Sequence, residues 1–409
     1  MTDPQWVERN RYVAVNVPRL DAPLAVCVVL GVVGFAFGAR DGMRAWQAYW
    51  VNFLFWAGIA QAGVVLAALV HLTRGQWGGA LVRLGLLQAA FLPVTMILYV
   101  GMAAIAPHLL PWVAAPVPEK AWWLNLTSFI WRNGIALLVL SIASLAFAYH
   151  VLRPEARALA QAGATTYPAW LTNGWRGEQA ERERSDRVLS WLAPVLILLY
   201  CIVYSLVGID MIMTLDPKWY STLFGAYYFI TTMYIGIAAL AVLGAWVRRR
   251  FGLQRELGSA RFHDLGKLLF AFCFLSGDFY WSQYLVIWYG DLPEEISFVL
   301  RRVRYQPWFV ASLIVLFGGF VIPFVILLNR RIKQIPATLA IVAFLVFAVG
   351  FVERVLMVVP SLHPETDTRF PFGVPEILIG LGFAGLYGLS LLWALRRAPL
   401  IPPDAAQEE

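Results

Sequence analysis

Apolar runs of about 20 to 28 residues follow one another along nearly the whole chain, and a run of that length has few ways to fold. In hydrocarbon every backbone N–H and C=O must be satisfied inside the segment or by a closed barrel. No run alternates with period two over about ten residues, so a membrane barrel is excluded and each run becomes a spanning helix. Ten spans are expected, at 22–38, 46–71, 80–106, 125–151, 191–214, 219–247, 266–290, 307–329, 336–360 and 374–395. The first is short and glycine-rich, which suits a tilted or peripheral helix. Composition agrees, with 60% of the 409 residues hydrophobic and 14% charged, against roughly 25% charged in soluble domains. The fold class is an all-α integral membrane protein, and a soluble enzyme is ruled out.

The basic residues mark topology. The tails at 1–21 and 396–409 and the 2–3, 4–5, 6–7 and 8–9 loops, with the span-edge Arg83 and Lys267 counted with them, hold 22 of the 32 Lys and Arg; the other five loops hold eight, and Arg132 and Arg354 lie deeper within spans. By the positive-inside rule both termini are cytoplasmic. The run Arg248, Arg249, Arg250 reads as an anchor at an anionic leaflet. Nucleic-acid binding would need the net charge of +7 on a solvated face with aromatic platforms, which is missing. The start, with Pro4, Glu8, Arg9, Arg11 and Arg19, lacks a basic stub running into a short apolar core, so it reads as a retained tail and not a signal peptide. Segment 153–188 is the one long connection, polar and charged with no apolar core of its own, and an interfacial helix is expected over 178–192.

Charges inside a span are costly and mark either a functional site or a structural ion pair. Arg132, Asp210, Glu353 and Arg354 fall at one depth, about 10 Å below the extracytoplasmic surface at 1.5 Å per residue. Two cations and two anions there suggest a neutral network joining spans 4, 5 and 9. Adjacent helix positions point about 100° apart, so Glu353 and Arg354 are expected to pair with other helices and not with each other. Structural glue and a substrate or proton site both remain open for this layer. Asp278 stands alone near the midplane. Lys267 shares its face, with His263 and Asp264 at the cytoplasmic foot, an arrangement that is either half of a proton path or a helix-to-helix hydrogen bond.

Cys27, Cys201 and Cys273 form no CxxC or CxxCH, so no zinc site, iron–sulfur cluster or covalent haem follows from them. A b-type haem needs two histidines at matched depth. His71 and His150 end spans at the membrane edge, His263 begins one, and His108 and His363 lie outside. They read as satisfied interfacial histidines, and neither a haem nor a metal site is expected. The Trp and Tyr residues gather near span ends, as interfacial belts do; an aromatic-lined slot among them would suit a quinone ring.

Four stretches together resemble one family. Residues 209–225 read IDMIMTLDPKWYSTLFG, similar to the DWLMSLxPxWxSTxFG signature of the ActF-type subunit of alternative complex III, a quinol oxidoreductase of the NrfD-like (PsrC-like) membrane subunit family. HDLGKLLF at 263–270 and SQYLVIWYGDLPEE at 282–295 resemble that family's HDLGKLxF and SQYLxIWYxNxPEE. KAWWLNLTSFIWR at 120–132 is similar to KxxYLNxxFFxxR, and GFVER at 350–354, with Pro360, Ser361, Leu362, Pro375 and Glu376, follows GMWxERxxxxxPSL and PxxxE more loosely. The resemblance runs from about 45 to 390.

It implies two four-helix bundles, spans 2–5 and 6–9, flanked by spans 1 and 10. It also implies a bacterial cytoplasmic-membrane complex with a sister NrfD-like quinol-binding subunit, a periplasmic iron–sulfur subunit and multihaem c-type cytochromes. This subunit would then carry no redox centre, support quinol oxidation, and help conduct protons. The chain departs from the pattern at several positions. The family usually has an aromatic residue where Asp278 stands, position 291 is Asp in place of Asn, Val352 replaces a Trp, and no acidic residue follows Arg83. Two other classes share the overall pattern: a secondary transporter acting alone, and a polysulfide-reductase-type anchor with its own quinol site.

Overall fold

Where the apolar runs stand, helices form. The computed structural model describes residues 4–75, 77–161, 171, 173–362 and 373–402; His363, most of 162–172 within the long connection, and the extreme ends of both tails lie outside them. Among the described residues there is no strand, and nine helices are long and apolar enough to cross a membrane. After an N-terminal helix α1 (Pro4–Val15) come α2 (Asp21–Gly38), α3 (Arg44–Leu72), α4 (Gly79–Leu109), α5 (Leu126–Gln161), α6 (Glu178–Met211) and α7 (Phe224–Phe251). Then follow α8 (Ser259–Gly290), α9 (Pro293–Val303), α10 (Trp308–Leu328), α11 (Pro336–Val358) and α12 (Val374–Arg397). The nine are α2 to α7 and α10 to α12. The expected seventh span corresponds to α8, which has 32 residues and is long enough; Asp278, Ser282, Gln283 and its tyrosines leave it less apolar than the rest.

α3 and α7 form the centre. α3 is buried along most of its length, with Trp50, Phe53 and Ile59 each at most 2% exposed, and α7 lies against it. α2 is the opposite case: of its 18 residues only Gly31, Gly34 and Gly38 are buried. A Cβ on Gly31 would stand 2.5 Å from Gly382 Cα, and one on Gly382 2.7 Å from Gly31 Cα. The glycine-rich run therefore docks α2 on α12 at backbone contact, the way small residues join helices in lipid.

Helix interruptions have local causes. In α4 the segment Gln88–Phe91 tightens to a 3-10 turn just ahead of Pro93, which brings no N–H and disfavours helical backbone before it. In α10 the segment Val315–Val321 widens to a π-helix ahead of Pro323. Hydroxyl and thiol groups from neighbours meet its carbonyls: Tyr234 Oη donates to Gly319 O at 3.0 Å and Cys273 Sγ to Phe320 O at 3.6 Å. Among the expected boundaries that move, two have a visible cause. The interfacial helix of the long connection runs straight into the fifth span as α6, supported in its first turn by Glu178 and Arg182 at 2.9 Å. The sixth begins at Phe224 and not at 219, because Asp216-Pro217 opens a turn that is closed by Trp219 N–H to Asp216 O at 3.0 Å.

Contacts between loops sort them into two ends. At one end α1 packs on the C-terminal segment, with Trp6 Nε1 donating to Ile401 O at 2.7 Å and Leu400 N to Asn10 Oδ1 at 3.0 Å. Arg9 pairs with Glu256, and Arg83 with Glu155 at 2.7 Å. Residues 4–15 thus form a docked helix, with Trp6, Asn10 and Val13 on its buried face and Val17 buried just beyond it. At the other end Lys120 Nζ donates to Pro217 O at 2.6 Å, and Arg301 lies 3.6 Å from Asp216.

Candidate functional site: buried charges and a tyrosine-lined cavity

Asp210 closes the last turn of α6 and is fully buried. Burying a carboxylate requires donors, and α5 with the turn before it supplies them. Arg132 Nε and Nη2 reach Oδ2 at 2.8 and 2.7 Å, Asn133 Nδ2 reaches it at 2.7 Å, and Trp123 Nε1 reaches Oδ1 at 2.9 Å. The Arg132 guanidinium lies 3.8 Å from the Trp123 ring centroid, a cation–π contact that holds its plane. All four side chains belong to, or adjoin, the 120–132 and 209–225 stretches, which the fold therefore brings together.

Glu353 and Arg354 form a second cluster on the far side of α7. Contrary to expectation they pair with each other, Arg354 Nη1 lying 3.4 Å from Glu353 Oε2. The reason is that both reach toward α7: Tyr227 Oη donates to Glu353 Oε1 at 2.5 Å, while Arg354 donates to Thr231 and Thr232 Oγ1 at 3.2 and 3.0 Å and covers the Tyr228 ring at 4.7 Å. The four charges thus form two separate clusters and not a single network, since no contact among the described residues joins Asp210 or Arg132 to Glu353 or Arg354.

Beside Glu353 lies a cavity of about 340 Å³ between α7, α8, α10 and α11. Tyr227, Tyr234, Tyr280 and Tyr284 contribute rings, the π-helical segment of α10 contributes Gly319 and Phe320, and Glu353 is the carboxylate in its wall. Tyr280, Trp281 and Leu316 line it and are exposed on the outside of the helix bundle, so the cavity opens sideways between α8 and α10. A mostly apolar space of this size with a few convergent polar groups is the usual form of a small-molecule site.

One end of the cavity is braced by Arg302 on α9, which sequence reasoning did not single out. It donates to Leu356 O at 2.9 Å, Met357 O at 3.0 Å and Ser361 Oγ at 2.9 Å, and stacks at 3.4 Å on Phe298. Those carbonyls are orphans of the α11 C-terminus, where a cation is favoured. Burial pushes the guanidinium below its ordinary value, in opposition to the carbonyls that hold its charge.

The remaining candidates lie elsewhere. Lys267 is exposed and pairs with Asp264 at 2.5 Å; His263, half-buried, is one residue away. Asp278 is exposed on the outside of α8 and is not among the residues lining the cavity. The file of polar side chains that a route from Lys267 through Asp278 to Glu353 requires is therefore not formed among the described residues. Arg83, which no acidic residue follows in the sequence, pairs instead with Glu155 of α5. His71 packs edge-on to Phe147, and His150 Nδ1 lies 3.4 Å from Ser185 Oγ. Among the described residues no group of three or more His, Cys, Asp or Glu is placed to hold a metal. The chain matches no protein-family model and no curated protein.

Proposed function

We propose that the chain is a membrane subunit of a quinol oxidoreductase of the alternative complex III type, without a redox centre of its own, and that it takes quinol into the cavity beside Glu353. The observation that carries this reading is a carboxylate fixed in the wall of a tyrosine-lined, laterally open cavity. Quinol is a lipid-soluble ring with phenolic hydroxyls, and its oxidation to quinone releases two protons and two electrons. Tyr227 and Arg354 hold Glu353 so that it can accept a hydroxyl proton, and the side opening gives a lipid-borne ring a way in. The electrons leave to the iron–sulfur and multihaem cytochrome subunits that the sequence resemblance implies, beside a sister NrfD-like quinol-binding subunit.

In this reading α8 is the tenth span. Helices α3 to α6 form one four-helix bundle, α7, α8, α10 and α11 form the other, and α2 and α12 flank them. Both termini face the cytoplasm of a bacterial cell, which puts Glu353 and the cavity mouth in the extracytoplasmic half. The resemblance of the 120–132 and 209–225 stretches supports this reading over a polysulfide-reductase-type anchor. A transporter with inverted repeats would interrupt matching spans, whereas here the breaks fall in α4, the second helix of one bundle, and α10, the third of the other.

A photoreactive azidoquinone tests the reading. Labelling is expected within 276–284 or 349–356 and should be displaced by excess quinol. Glu353→Gln should retain the label and lower quinol turnover by about 10²-fold, a typical loss for a positioned proton acceptor. Labelling confined to other segments would contradict the proposal.

A further inference from the structure

α8 carries a stripe that is left largely open among the described residues. Phe274, Asp278, Trp281, Leu285 and Trp288 are all exposed, and their spacings of four, three, four and three residues set them on one seam of the helix, the spacing by which two helices pack along their length. The α8 residues that line the cavity, Ser276, Gly277, Tyr280, Trp281 and Tyr284, centre about 90° around the helix from this seam at 100° per residue. Trp281 belongs to both faces. In the middle of the seam stands Asp278, which has no ion pair or hydrogen bond among the described residues.

An aromatic and aliphatic seam alone fits lipid as well as protein. Asp278 decides between them, because a carboxylate facing hydrocarbon is costly and such residues in spans pair with a partner or line a watery path. A second copy of the chain docked about a two-fold axis on this seam would bring Asp278 against Asp278, like against like. We infer that the α8 seam receives a transmembrane helix of a different polypeptide that presents a lysine or arginine at the depth of Asp278. That helix would lie beside the cavity mouth, with Trp281 between them. The inference rests on α8 crossing the membrane, as proposed above, and is independent of whether the cavity holds quinol.

The test is made on the full chain in its native membrane. A photo-cross-linking amino acid is placed at position 274 or 285, flanking Asp278, and the cross-linked peptide is sequenced. One other polypeptide is expected, joined through a transmembrane segment that bears a Lys or Arg within one turn of the contact. Asp278→Lys should lower the cross-link at least ten-fold. Reversing the partner's basic residue to Asp should restore it in that background, which a mere folding defect would not allow. Asp278→Asn, which keeps the shape, should lower it several-fold with the chain's own yield unchanged. Cross-links to lipid or to a second copy only, or an unchanged cross-link in both variants, would overturn the inference. A cysteine at 278 that reacts with a membrane-impermeant maleimide from either side would show instead that α8 does not span, which defeats the reading it rests on.

Discussion

At the scale of single residues the two charged clusters do different work. Asp210 is fully buried with three donor side chains on its oxygens, so Arg132→Leu leaves a buried carboxylate short of its countercharge. Breaking a buried pair on one side costs about 3–5 kcal/mol. Arg132→Leu should therefore lower the melting temperature of the detergent-purified protein by many degrees, while the exposed Arg187→Leu should leave it unchanged. Equal melting temperatures would show that the pair is not holding α5 to α6. In the proposed function Glu353 is held to accept a proton. Tyr227→Phe removes one donor of about 1 kcal/mol and should lower quinol turnover roughly three- to ten-fold with the fold intact; unchanged turnover would separate Tyr227 from the chemistry. That all four charges stand inside helices was legible from hydropathy, since a charge stands out in an apolar span. Their partners were not, because rotation about a helix axis is set by packing. Tyr227, Thr231 and Thr232 looked like ordinary residues of an apolar run, and Glu353 with Arg354 turned toward one neighbour because that neighbour offers a hydroxyl to each.

At the scale of elements, hydropathy located the helices, while side-chain size decided how they meet. The α2–α12 crossing rests on Gly31 and Gly382 at backbone contact, and the first span's glycine content was the one sign of a peripheral helix. A leucine at Gly31 cannot fit there. Gly31→Leu should release α2 and raise protease cutting in the 39–43 connection at least three-fold, while Val29→Leu, on the 61% exposed side, should not. An equal effect of both would place the docking contact elsewhere. The π-helical segment Val315–Val321 had no signal beyond Gly318, Gly319 and Pro323. It appears only once Tyr234 and Cys273 are in position to meet its carbonyls, a tertiary event. The docking of α1 was hidden for a similar reason: its charged residues dominate the sequence, and its apolar face becomes visible only against Ile401.

For the whole molecule, the partition into two ends follows from an alternating helix order, and the ion pairs Arg9–Glu256, Arg83–Glu155 and Arg301–Asp216 each join segments of one end. The cavity was not legible, because its wall is shared among α7, α8, α10 and α11 and no single stretch encodes a gap. The assembly is the widest claim. Purification of the tagged chain from its native membrane in mild detergent tests it most directly. The preparation should contain haem-staining polypeptides and an iron–sulfur subunit in fixed ratio and should oxidise quinol. A colourless, solitary protein without quinol turnover, from membranes that retain that activity, would contradict it.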